Sequence, residues 1–194
     1  MTESLVPDKL TPCPPGELYA CLKAAWVQTC QDSDPGRASL LVLLAHWALE
    51  TGFGHYCHNF NIGNKKHVPG DGHDFSQFRC NEVIGGQIVW FDPPNPGCSF
   101  VAFSSLAAGT LDYFIGMRGR FRVAWPFVLS GDVAGFCHAL KVANYYTADE
   151  GLYTAGVVRC YHQLDGVIPP DPTEAITLEE FPPDPHVDPE GTNS

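Results

Sequence analysis

Glu50 is the side chain best placed for proton-transfer chemistry in this chain. It lies near the end of an apolar run over residues 38–54, in which Leu41, Leu44, Ala45, Ala48 and Leu49 recur at helical spacing. Thr51-Gly52 stops that helix, because Gly readily takes the left-handed conformation that ends one. Glu50 is therefore expected in the last turn, beside unpaired carbonyls, with Trp47 and Phe53 as apolar walls that also contact the substrate. Both features disfavour the ionised form and raise the pKa. A carboxyl kept protonated near neutral pH is what a general acid requires. The same spacing also suits a solvated Glu paired with a Lys.

Two further clusters carry chemistry. Asn59-Phe60-Asn61-Ile62-Gly63-Asn64 alternates amide and apolar side chains. Asn59, Asn61 and Asn64 offer donors and acceptors suited to a sugar N-acetyl or hydroxyl group, and plain turn chemistry accounts for them equally. His55, Cys57 and His58 are close enough in sequence to suggest zinc, but no C-x-x-C pair accompanies them, so no metal site and no cofactor is expected. A cysteine–histidine amidase built on Cys57 is disfavoured, since a turn offers no helix N-terminus to lower the thiol pKa.

The elements that must position these groups follow from periodicity and punctuation. Pro14-Pro15 opens a helix over about 16–30, with Leu18, Leu22, Ala25 and Trp26 on one face. Asp34 is expected to cap the Glu50 helix, with Pro35 at its first position. Residues 55–74 read as loop. Residues 78–84 and 87–91 flank Gly85-Gly86 as a hairpin, and 100–103 is expected as a short third strand. Ser104 or Ser105 caps a helix bearing Leu106, Leu111, Phe114 and Ile115. Ser130-Gly-Asp starts another, with Val133, Phe136, Cys137 and Leu140 on one face. Thr147 and Glu150 have capping-box spacing for a last helix carrying Leu152, Val157, Tyr161 and Leu164. Arg118, Arg120 and Arg122 read as a solvated basic patch.

The 194 residues, 44% apolar with four Trp, suffice for one domain with a sizeable core. The predicted organisation is a lead-in over 1–14, a domain over 15–168 and a disordered, acidic, Pro-rich tail over 169–194. That tail holds seven of the 22 acids, so the rest carries 15 acids against 11 bases. A chain this acidic is not built for nucleic acid. Its longest apolar run is too short to span a membrane. Eight Cys suggest disulfides formed in an oxidising space, and Cys137 and Cys160 fall on consecutive helices where they could bridge. The first residues do not read as a secretory signal peptide. Release by lysis, injection or incorporation into a virus particle would reconcile the two.

Helices, a small β lobe and helices again make an α+β layout with a cleft between lobes. Ala45-His-Trp-Ala-Leu-Glu-Thr-Gly-Phe-Gly54 followed by Asn59-Phe-Asn-Ile-Gly-Asn-Lys65 resembles the motif of flagellar-type and autolysin-type β-N-acetylglucosaminidases, glycoside hydrolase family 73 of the lysozyme-like superfamily. Phe103-Ser-Ser-Leu with Asp112-Tyr113, and Ala143-Asn-Tyr-Tyr-Thr147 with Tyr153, resemble two later segments in the same order. His46 stands where the family pattern has Gln, and Asn61-Ile-Gly-Asn replaces Asn-Leu-Phe-Gly. The resemblance covers about residues 15–166. It implies a lysozyme-like, mainly helical fold, peptidoglycan glycan strands as substrate, and action in the cell wall or periplasm. It also implies Glu50 as general acid and Tyr145, with Tyr146 beside it, lining the cleft. A second carboxylate is expected in the β lobe of some members, where Cys80-Asn81-Glu82-Val83-Ile84-Gly85-Gly86 fits loosely and makes Glu82 the candidate. Glu82 is otherwise an ordinary hairpin charge, and Asp71, Asp74 and Asp92 are weaker alternatives. The activity implied is endo-β-N-acetylglucosaminidase. Muramidase, lytic transglycosylase and a non-catalytic wall-binding module of a phage or injection particle are the alternatives.

Overall fold

The computed structural model describes residues 3–30, 34–92 and 94–170; the side chains of Glu82 and Val83, and the acidic tail from 171 onward, lie outside the described residues. The expected α+β, lysozyme-like layout is present. Helix α1 spans Pro15–Cys30 and buries the face predicted for it, Leu18, Leu22, Ala25 and Trp26. Helix α2, Arg37–Thr51, is the hub of the domain. Every residue from Ser39 to Ala48 is buried. The spacing predicts a one-sided stripe, but α1, α4 and α6 pack around α2 from several sides, so apolar residues are needed all round. The N-cap position before it is Gly36, with no side-chain cap; Asp34 instead pairs with Lys23.

Four short strands form two separate antiparallel pairs. Strand β1, Phe75–Gln77, pairs with β4, Ser99–Val101. Strands β2, Cys80–Ile84, and β3, Gln87–Phe91, form the predicted hairpin around Gly85-Gly86. Both glycines have positive φ, 59° and 80°, as such a two-residue turn requires. The expected third strand is β4, shifted to 99–101, and its partner is the loop segment β1 rather than the hairpin. The hairpin is tied to β4 by a Cys80–Cys98 disulfide, Cα atoms 5.9 Å apart. The expected Cys137–Cys160 bridge is not formed; both are buried thiols.

Helix α3, Leu106–Arg118, is capped by Ser105, whose hydroxyl accepts the Ala108 N–H at 3.2 Å. Helix α4, Trp125–Ser130, has only six residues and escapes a periodicity search. Helix α5, Val133–Val142, is capped by Asp132. Helix α6, Glu150–Asp165, is capped by Asp149 rather than Thr147; Leu152, expected on its inner face, is 78% exposed. Phe114 meets Trp26 and Trp125 edge to face, and the two Trp rings pack tilted on each other; with ring centroids 5.1–5.6 Å apart the three join α1, α3 and α4. Before α1, the chain from Ser4 to Thr11 runs beside the loops. Val6 N–H donates to Phe75 O at 2.8 Å and Thr11 N–H to Cys57 O at 2.8 Å.

Gly109 shows how tightly α3 meets the loop after Glu50. A Cβ there would stand 2.0 Å from the Phe60 carbonyl oxygen. Ala in place of Gly gains about 1 kcal/mol of helix propensity, but the backbone clash outweighs it. Gly109→Ala should lose roughly 1–3 kcal/mol of stability in urea titration.

Candidate active site

Helix α2 stops at Gly52, in the left-handed region at φ 56°, and Glu50 sits in its last turn, as the sequence predicts. The carboxyl opens into a cleft of about 1280 Å³, bounded by residues 61–66, the root of the hairpin, α3 and the Asn144–Ala148 connection. Its side chain is 19% exposed. Burial raises its pKa above the ordinary carboxylate range, while hydrogen bonds from Tyr153 and Asn64 pull the other way. The expected direction holds, but the walls differ. Trp47 is fully buried in the core, and Phe53 does not line the cleft. Neither is placed to touch a sugar, contrary to expectation.

The groups around the carboxyl are aromatic. Tyr153 on α6 donates its hydroxyl to Glu50 Oε1 at 2.7 Å. Its ring lies flat on Tyr146, 3.7 Å between centroids. Tyr145 lines the cleft, donates to the Gly63 carbonyl at 3.0 Å, and packs edge-on against His46 at 4.8 Å. Burial, then the nearby Glu50 charge, raises the phenol pKa of Tyr153, Tyr145 and Tyr113, so all three stay neutral donors. His46, one turn before Glu50, is fully buried, and its pKa is held down to about 3. Its Nδ1 meets the Tyr113 hydroxyl at 2.7 Å, and Nε2 lies 3.6 Å from Glu50 Oε1. A neutral imidazole there places no positive charge beside the carboxyl, so Glu50 keeps its raised pKa.

The three asparagines divide. Asn59 does not line the cleft; its amide accepts from Lys9 N–H at 2.7 Å and donates to Pro7 O at 3.1 Å. Asn61 lines the cleft but spends its amide on the backbone, donating to Lys65 O and Val101 O and accepting from Lys65 N–H. Asn64 lines it too and donates to the backbone carbonyl of Glu50 at 2.7 Å. These amides hold the loop in shape, which favours the turn reading over direct sugar recognition at Asn59 and Asn61.

The carboxylates reserved for a second role are scattered. The Glu82 backbone lies in β2 opposite Val89; its side chain is outside the described residues, and among the described hairpin residues Cys80, Asn81 and Trp90 line the cleft. Asp71 accepts from Val68 and His73 N–H, Asp74 from Ser4 N–H, and Asp92 pairs with Arg79; none of the three lines the cleft. Asp112 does, bound by Lys65 Nζ at 2.9 and 3.0 Å. Arg120, which the sequence places in a solvated patch, also lines the cleft. His55, Cys57 and His58 do not converge. Among the described residues the group with cation-ligand geometry is Glu3, His67 and Asp71, none of which lines the cleft. Sequence reasoning misses Tyr153, Asp112 and Lys65 as site residues. All three lie in the segments that carry the family resemblance, which is the signal that could have marked them.

The electrostatics of Glu50 have a consequence for stability. Between the ordinary carboxylate pKa and the raised one, the unfolded chain is ionised while the native chain holds its proton. Stability therefore falls as pH rises through that window and stays lowered above it. Glu50→Gln removes the burden. Its thermal midpoint should exceed that of the wild type at pH 7, by roughly 2–4 °C per kcal/mol relieved, and match it at pH 4.

No family model and no curated protein matches the chain. Solved structures do. A peptidoglycan hydrolase mutant from Sphingomonas sp. A1 superposes with TM-score 0.52 at 22% identity, covering 74% of this chain and 92% of that one. A second structure of the peptidoglycan hydrolase from the same organism gives 0.50 at 18%, covering 79% and 97%. A C-terminally truncated glycoside hydrolase domain of FlgJ from Salmonella typhimurium gives 0.50 at 17%, covering 78% and 98%. The likeness covers about three quarters of the chain and nearly all of each neighbour, and the chain has the lysozyme-like fold of these hydrolase domains.

Proposed function

We propose that this protein hydrolyses peptidoglycan glycan strands as an endo-β-N-acetylglucosaminidase, with Glu50 as general acid. One observation carries the reading. A carboxyl with a raised pKa opens into a cleft larger than most small-ligand pockets, and a neutral tyrosine hydroxyl fixes one of its oxygens. The likeness to peptidoglycan hydrolase structures supports the substrate class.

Tyr153 donates to Oε1, which leaves Oε2 to carry the proton. Oε2–H protonates the glycosidic oxygen as its bond to the anomeric carbon breaks. The carboxylate left behind keeps the hydrogen bond from Tyr153. Asn64 holds the Glu50 backbone, and Tyr145 holds the Gly63 turn across the cleft. Water then attacks the oxocarbenium-like carbon, and Glu82 is the proposed base or charge stabiliser. The acid is the protonated form, so turnover falls as pH rises through the raised Glu50 pKa.

Lytic transglycosylation is the second reading, favoured by one feature. Among the described residues that line the cleft, the carboxylates are Glu50 and Asp112, and Asp112 is committed to Lys65. A transglycosylase needs a single acid/base Glu, because the muramyl 6-hydroxyl attacks in place of water.

Digestion of purified peptidoglycan, with the new ends identified by mass spectrometry, separates the readings. Free GlcNAc reducing ends are expected. MurNAc ends would make the enzyme a muramidase, and 1,6-anhydro ends a transglycosylase. No release by the wild type would favour a wall-binding module. Glu50→Gln should lose activity by about 100-fold or more; retained turnover would remove Glu50 from the acid role. Tyr153→Phe removes a hydrogen bond that lowers the Glu50 pKa, so the alkaline limb of its pH–rate profile should move upward.

A further inference from the structure

Six cysteines are thiols in this structure, and two of them meet. The segment ending at Cys13 crosses under the turn that follows Glu50. Thr11 N–H donates to Cys57 O at 2.8 Å, and Phe60 N–H donates to the Thr11 hydroxyl at 2.7 Å. The same hydroxyl lies 3.8 Å from Cys57 Sγ, and Cys13 Sγ lies 3.2 Å from Thr11 O. The two thiols, at 3% and 0% exposure, thus meet the same residue, Thr11, and each shifts the other's titration, Cys13 up and Cys57 down. The backbone is equally close on the other side, where a Cβ on Gly54 would stand 2.5 Å from the Cys13 carbonyl oxygen. Two thiols that converge on Thr11, on segments already joined by backbone hydrogen bonds, are placed for bonding by a local adjustment of those segments.

We propose that Cys13 and Cys57 are an oxidisable pair that closes to a second disulfide in an oxidising compartment and locks the turn after Glu50 onto the N-terminal segment. This does not rest on the proposed enzymatic activity. With a small disulfide such as oxidised glutathione the exchange balances as follows. The Cys57 thiolate attacks one glutathione sulfur, forming a mixed disulfide and expelling one glutathione thiolate. Cys13 then loses its proton and attacks Cys57 Sγ, expelling the second. Two protein thiols are oxidised and one glutathione disulfide is reduced. The Cys57 pKa is lowered by the neighbouring Cys13 and by Thr11 while that of Cys13 is raised, which favours Cys57 as the first nucleophile. Because both sulfurs are shielded, exchange occurs during folding or when residues 8–13 open locally. The ring so closed contains α1 and α2, so the lock constrains the unfolded chain as well as the turn.

The test refolds the full chain in a glutathione redox buffer, blocks remaining thiols by alkylation, and maps peptides without reduction. A Cys13 peptide linked to a Cys57 peptide is expected, with the thiol count falling from six to four. Recovery of both as alkylated thiols, while Cys80–Cys98 forms, would overturn the proposal. So would either one linked to another cysteine. In a Cys80→Ser/Cys98→Ser background, dithiothreitol should lower the thermal midpoint by roughly 5–15 °C. Adding Cys13→Ala should abolish that redox dependence. A redox shift that survives Cys13→Ala also counts against the pair. The wild-type peptide map decides the matter even where a variant fails to fold.

Discussion

The close approach of α6 to α2 is the constraint on which the rest of the site depends. Gly156 makes it possible, because a Cβ there would stand 2.9 Å from Leu49 Cδ1. Three residues earlier on the same face of α6, Tyr153 then reaches Glu50 Oε1. A wider separation would leave the carboxyl with water as its partner and with an ordinary pKa. Tyr153 in turn supports Tyr146 by stacking, and Tyr145 spans the cleft to Gly63. One helix contact thus sets the acid, the aromatic wall and the loop opposite.

The interior beneath the acid is polar in composition but carries no charge. His46 is buried among Tyr113, Tyr145 and Phe136 and remains neutral. The burial that lowers its pKa raises that of Glu50, because desolvation penalises whichever form is charged. The pair differs in kind from a Glu–Lys ion pair, which would hold the carboxyl ionised.

Local signals are legible where the physics is local. Gly52, Ser105, Asp132 and Gly85-Gly86 stand where turn and cap chemistry requires them. The α1 face and the Glu50 position follow from periodicity alone. What sequence does not show depends on partners distant in the chain. Apolar spacing in α2 gives no sign of helices on several sides, so Trp47 reads as a wall when it is core. Strand β1 has three residues and is defined by its pairing with β4. The amides of Asn59 and Asn61 look like ligand groups until the carbonyls they satisfy are in place. Tyr153 lies within a recognisable segment, but its reach to Glu50 is a property of the α2–α6 contact.

The β2–β3 hairpin stands apart from this economy. It shares no ladder with β1–β4, and along β3 each side chain is exposed or half-buried. Its covalent anchorage is the disulfide at one end, while Arg79, lying 4.3 Å over the Trp90 ring, braces the base of the hairpin from within. Yet Asn81 and Trp90 form part of the cleft. That wall lines the cleft without contributing core, so its residues can vary, and the lining of the cleft with them, while the free energy of folding stays almost unchanged. Evolvability in this molecule is concentrated in the part that the acid-bearing helix does not need in order to fold.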